Sequence, residues 1–87
     1  MKVIEIKNIA RKDVPIYYRR LYTGVVVLEL FNKIIDVPLD FHIEHKPTGQ
    51  VEIGLSLVEK VDYPLIPLKT ELKRFIGDLD SSGQLPN

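Results

Sequence analysis

The stretch Ile35–Leu57, IDVPLDFHIEHKPTGQVEIGLSL, decides the fold. In its first half Ile35, Val37, Leu39, Phe41 and Ile43 alternate with Asp36, Pro38, Asp40, His42 and Glu44. In its second half Val51, Ile53, Leu55 and Leu57 alternate with Glu52, Gly54 and Ser56. Successive side chains on a strand point to opposite faces, so each half reads as a strand with one apolar and one wet face. Between them lies Lys46-Pro47-Thr48-Gly49. Proline suits the first corner of a type I turn, and glycine the left-handed position after it. This turn sets Lys46 opposite Gln50, Ile43 opposite Ile53, Phe41 opposite Leu55 and Leu39 opposite Leu57. The apolar faces then match, whereas a one-residue slip would put Ile43 beside Glu52.

Upstream, Val25–Leu30 is apolar on both faces, as expected of a strand in mid-sheet. Asn32-Lys33 fits a two-residue hairpin loop because Asn tolerates positive φ. That loop places Phe31 opposite Ile34, Leu30 by Ile35, Leu28 by Val37 and Val26 by Leu39. Val3–Ile9 reads as a first strand, followed by a polar connector closed by Pro15. Residues 16–22 read as an aromatic-rich strand, with one helical turn after Asp13 as the alternative; Gly24 marks a turn or bulge. Downstream, residues 60–67 form a proline-stiffened crossing. From Leu68 the period becomes helical, with Leu68, Leu72, Phe75, Ile76 and Leu79 on one side and Lys69, Lys73, Arg74, Asp78 and Asp80 on the other. Gly83 is the expected stop, with Leu85 folding back. No capping residue precedes Leu68, and Asp78 and Asp80 oppose the helix dipole, so the apolar stripe must hold this helix.

The fold expected is therefore α+β: an antiparallel four- to five-stranded meander with one C-terminal amphipathic helix packed on one face, residues 1–87 forming a single domain. The opposite face carries Val25, Val27, Phe31, Ile34 and Val58 among charges. Those residues call for cover by the N-terminal segment or by a second subunit.

The chain has 87 residues and no cysteine, which excludes disulfides, thiolate chemistry and zinc-finger sites. Its net charge is zero, against a general binder of phosphate backbones. The charge is segregated, however. Residues 1–20 hold six Lys/Arg against two Asp/Glu, giving +4, and residues 29–62 hold three against seven, giving −4. Such halves neutralise each other in the fold or across a dimer, or form a functional basic face. No apolar run is long enough to span a bilayer, and Glu5 sits where a signal peptide is apolar; a cytoplasmic protein is expected, without a membrane partner.

Three groups of residues invite chemistry. Asp40, His42 and Glu44, with Glu52 opposite Glu44, present metal-ligating types on one face, with Asp36 in the same row. Alternate residues on a strand stand roughly 7 Å apart, wide for one ion, and a solvated face eased by Lys46 competes with the metal. Arg11, Lys12, Tyr18, Arg19, Arg20 and Tyr22 interleave rings and guanidinium groups, which can stack bases and hold phosphates. Against this stands a tyrosine-rich strand whose arginines pair with the acidic half. Finally, Ser56, Ser81 and Ser82 are available to His42 and His45. No serine sits in a Gly-x-Ser-x-Gly turn, and no spacing sets a base beside a nucleophile.

Two short stretches resemble known families. Asp78-Leu79-Asp80-Ser81-Ser82-Gly83 resembles the Asp-x-Ser-x-x-Gly motif of PilZ domains, with Asp80 where the motif has serine. Gln50-Val51-Glu52-Ile53-Gly54 is similar to a strand of carbon-storage-regulator RNA-binding proteins, whose Arg-rich opening strand has no counterpart at Met1–Ile9. Neither assigns the chain to a family. The functional expectation is a non-enzymatic binding or assembly module, a homodimer joined through Val25, Val27, Phe31 and Ile34, with no catalytic residues and no cofactor. The alternative is an RNA or single-stranded DNA binder using the Tyr–Arg segment.

Overall fold

The computed structural model describes residues 1–15 and 17–86. Four strands, β1 (Lys2–Arg11), β2 (Arg19–Leu30), β3 (Lys33–His45) and β4 (Val51–Leu57), form one antiparallel sheet in the order β1-β2-β3-β4. One helix, α1 (Leu65–Ser81), follows. This is the α+β meander that the alternation implies, with four strands. Gly24 neither turns nor ends a strand; β2 runs straight through it. A Cβ there would lie 3.1 Å from Ile6 Cγ2 and 3.4 Å from the Lys7 carbonyl, so glycine lets β1 come close. Ile16, where the aromatic strand was expected to begin, lies outside the described residues; Arg19–Tyr22 are strand.

The β3–β4 register is the one the turn dictates: Leu39 faces Leu57, Phe41 faces Leu55 and Ile43 faces Ile53. Lys46 N–H donates to the Gln50 carbonyl at 2.8 Å, and Gly49 takes φ 87°. The β2–β3 register differs from expectation. Leu30 pairs with Lys33, Leu28 with Ile35 and Val26 with Val37, so the loop is Phe31–Asn32, with φ of 49° and 63°. Both central residues are left-handed, as a type I′ turn requires. The shift is two residues, which leaves every side chain on its expected face; alternation has period two and cannot detect it.

Tyr22, Val26, Leu28 and Leu30 of β2 and Val37, Leu39, Phe41 and Ile43 of β3 are buried on one face, with Ile6 of β1. Leu68, Leu72 and Ile76 of α1 close this core, with Phe75 and Leu79 half-buried beside them. Tyr22 stacks on Phe41, ring centroids 5.0 Å apart. The helix starts at Leu65, three residues before expectation, and takes Pro67 into its first turn. There the missing N–H would have had no partner. It starts after Pro64 with no side-chain cap and ends as expected at Gly83, φ 72°. Gln84 N–H donates to the Leu79 carbonyl and Gly83 N–H to that of Asp80, a Schellman closure that returns Leu85 to the core.

Pro38 lies within β3, yet disrupts nothing. Odd-numbered residues of β3 bond to β2, as His45 N–H does to the Tyr18 carbonyl at 2.7 Å. Even-numbered residues face β4, whose last bond runs from Val58 N–H to the Pro38 carbonyl at 3.0 Å. The proline's missing donor therefore points to the side where β4 stops. Beyond it, residues 33–37 have no strand on that side among the described residues.

Candidate functional site

The helix covers one face of the sheet, and charges crowd the other. Register sets Arg19, Leu21, Thr23, Val25 and Val27 of β2 against Glu44, His42, Asp40, Pro38 and Asp36 of β3 on this outer face. The β3 carboxylates meet the basic N-terminal segment. Lys7 lies 2.7 Å from Asp36, Lys12 3.7 Å from Asp40, and Arg19 Nε donates to Glu44 at 3.1 Å. The +4 and −4 segments thus neutralise each other within one chain. The hydrogen bond to Asp36 holds the Lys7 ammonium above the usual lysine range, and that to Glu44 does the same for Arg19.

Glu44 and Glu52 face each other across β3 and β4, as the turn requires. Each has its own cation: Arg19 for Glu44, and Lys46, at 2.7 Å, for Glu52. The hydrogen bond from Lys46 pushes the Glu52 carboxyl below the usual range, and Lys46 rises in return. The His42 ring fills the space above Gly54, where a Cβ would come within 2.2 Å of Cε1. Among the described residues no three His, Asp or Glu side chains converge as a metal site would need. Asp40, His42, Glu44 and Glu52 share a face but spread along it, three of them beside lysine or arginine.

The Tyr–Arg segment divides between faces. Tyr22 is buried, and its hydroxyl accepts from Arg20 Nη1 at 3.1 Å. Arg20 Nη2 reaches Asp80 at 2.9 Å and His45 Nε2 at 3.2 Å, at the rim of the core. Partial burial works against the charge of Arg20, but the bond to Asp80 and the Tyr22 oxygen outweigh it and raise its pKa. Tyr18 and Arg11 are exposed, and so is Tyr17. Ser81 and Ser82 donate to the carbonyls of Asp78 and Leu79, both at 3.2 Å, as part of the helix end. Ser56 sits opposite Asp40 on the outer face.

Of the four residues expected at an interface, Val27 is only 8% exposed and Val25 half-buried within the chain. The salt bridge from Lys7 to Asp36 spans β2, so the lysine stem passes over this part of the sheet. Phe31 and Ile34 are different: they stand 76% and 66% exposed at the hairpin tip. Beside them runs the open side of β3. Sequence reasoning missed that edge, although Pro38 and the unequal lengths of β3 and β4 were its signal.

A family model matches residues 1–81, from the start of the chain to the last residue of α1. The chain belongs to the BB_0187 family. The match takes in every element described above, so sheet and helix together form the unit the family shares. No curated protein and no solved structure matches the chain. No helix among the described residues is long and apolar enough to cross a membrane.

Proposed function

We propose that this member of the family is a non-enzymatic assembly module that associates with a second copy of itself through the β2–β3 hairpin tip. Phe31 carries the reading. The left-handed region costs a side-chain-bearing residue roughly 1–2 kcal/mol, and type I′ turns select Asn or Gly for it. Here an aromatic residue takes φ 49° and leaves its ring 76% exposed. Neither turn geometry nor the core accounts for it. Ile34 adds a second exposed apolar side chain beside it. Backbone strain combined with exposed apolar surface is characteristic of recognition sites. The zero net charge leaves no long-range repulsion between copies.

Phe31→Asn tests this without harming the turn, because Asn accepts the left-handed conformation. The variant should hold or raise the melting temperature and lose the parent's oligomeric mass. An unchanged oligomeric mass would place the interface elsewhere.

Nucleic-acid binding has exposed Tyr17, Tyr18 and Arg11 in its favour. Against it, Lys12, Arg19 and Arg20 are engaged by Asp40, Glu44 and Asp80, and Tyr22 is inside the core.

A further inference from the structure

β3 continues past the end of β4, and what it exposes there is backbone. By the parity of the ladder, the N–H and C=O groups of Ile34 and Asp36 point to the side that β4 has left. None of these groups has a backbone partner on that side among the described residues. The chain after Val58 does not fill the place. It turns to the helix-bearing face, where Val61 and Tyr63 pack against the core. Unpaired edge groups of this kind are a template for another strand.

We infer that a second copy of this chain adds its own β3 to this edge, antiparallel, with the two-fold axis at Ile35. This rests on the self-association proposed above and names its geometry. The axis at Ile35 sets Ile34 of each copy opposite Asp36 of the other, so the free edge groups of both copies are bonded. An axis at Asp36 would bring two carboxylates face to face and set Ile34 against Pro38, whose carbonyl Val58 already holds. An axis at Ile34 would bond Asp36 to the turn residue Asn32.

With the axis at Ile35, the tip of each copy arrives at the end of the other's β4. A groove lies there, lined by Val58, Val61, Tyr63 and Leu65 among others. Val58 and Leu65 are exposed, so the groove offers apolar surface for Phe31. Charge also agrees: Lys33 at the tip approaches Glu59 and Asp62, exposed acids with no ion-pair partner among the described residues.

The chain has no cysteine, so one introduced thiol reports one contact. Ile35 would be a non-hydrogen-bonded pair on the axis, with Cα atoms about 4.5 Å apart, within disulfide reach. Asp36, off the axis, would be beyond about 7 Å from its copy, outside that reach. Under mild oxidation Ile35→Cys should give a covalent dimer on a non-reducing gel, and Asp36→Cys little or none. Equal linking of both would overturn the geometry. Asp36→Pro supplies a second reading, since a proline there, like Pro38, loses only a donor that faces the open side. It should give a folded monomer with a melting temperature near the parent's. A dimer that survives Asp36→Pro, or that forms in solution without Ile35→Cys cross-linking, would overturn edge pairing while leaving self-association standing. A parent chain monomeric at every concentration would overturn both.

Discussion

Arg20, at the start of β2, donates to Asp80 in the last turn of α1 at 2.9 Å, although 60 residues separate them. The bond ties the end of the helix to the rim of the sheet. It also answers Asp80, a carboxylate at the helix end where the dipole disfavours negative charge. The same guanidinium holds the hydroxyl of buried Tyr22 and meets His45, so one side chain closes the polar rim of an apolar core.

Arg20→Ala should therefore cost about 1–3 kcal/mol, the range for partly buried hydrogen bonds to charged groups. Asp80→Asn should cost less, since an amide oxygen still accepts. Urea unfolding of the parent and both variants measures this, and equal stabilities would show that the clamp does not hold the helix.

Leu72→Ala should destabilise by about 2–5 kcal/mol, because Leu72 is wholly buried between helix and sheet. Phe75→Ala should cost less, since Phe75 is half-buried. A loss below about 1 kcal/mol for Leu72→Ala, the size of a surface change, would mean that the helix is not docked.

Sequence and structure agree where a local rule has one solution. Pro47 and Gly49 admit a single turn, and the β3–β4 register followed residue by residue. The stripe from Leu68 to Leu79 and the stop at Gly83 were legible for the same reason. Where a rule has several solutions the reading slipped. Two-residue alternation permits both Asn32-Lys33 and Phe31–Asn32 as the loop, and turn preference argued against the phenylalanine that is there. Pro67 looked like a barrier to the helix, yet the first turn accepts it. The Arg20–Asp80 clamp has no local signal at all. Of the candidate site, the opposition of Glu44 and Glu52 was legible, but which cation each takes was not.

Stability should be greatest on a broad plateau around neutral pH. The Glu52 carboxyl is held below its usual range by Lys46, so its contribution is full above the carboxylate range and fades as pH falls through it. Lys7 and Lys46 are raised, so theirs is full below the lysine range and lost as pH rises through it. Glu52→Gln should shrink the acid limb, and added salt should flatten both limbs, since these pairs are exposed. Melting temperatures across pH check this; an acid limb unchanged in Glu52→Gln would contradict the pairing.

Short RNA and DNA oligomers at low salt should show no appreciable binding in fluorescence anisotropy, because three of the four cations near the exposed tyrosines already have carboxylate partners. Binding that falls steeply with salt and is lost in Arg11→Ala/Arg19→Ala would instead favour the nucleic-acid reading.

The most direct measurement is the mass of the parent chain in solution, by light scattering behind size exclusion over a concentration series. Self-association through the hairpin tip requires a mass rising with concentration toward twice the 10.0 kDa of one chain. A mass of one chain at every concentration would contradict it.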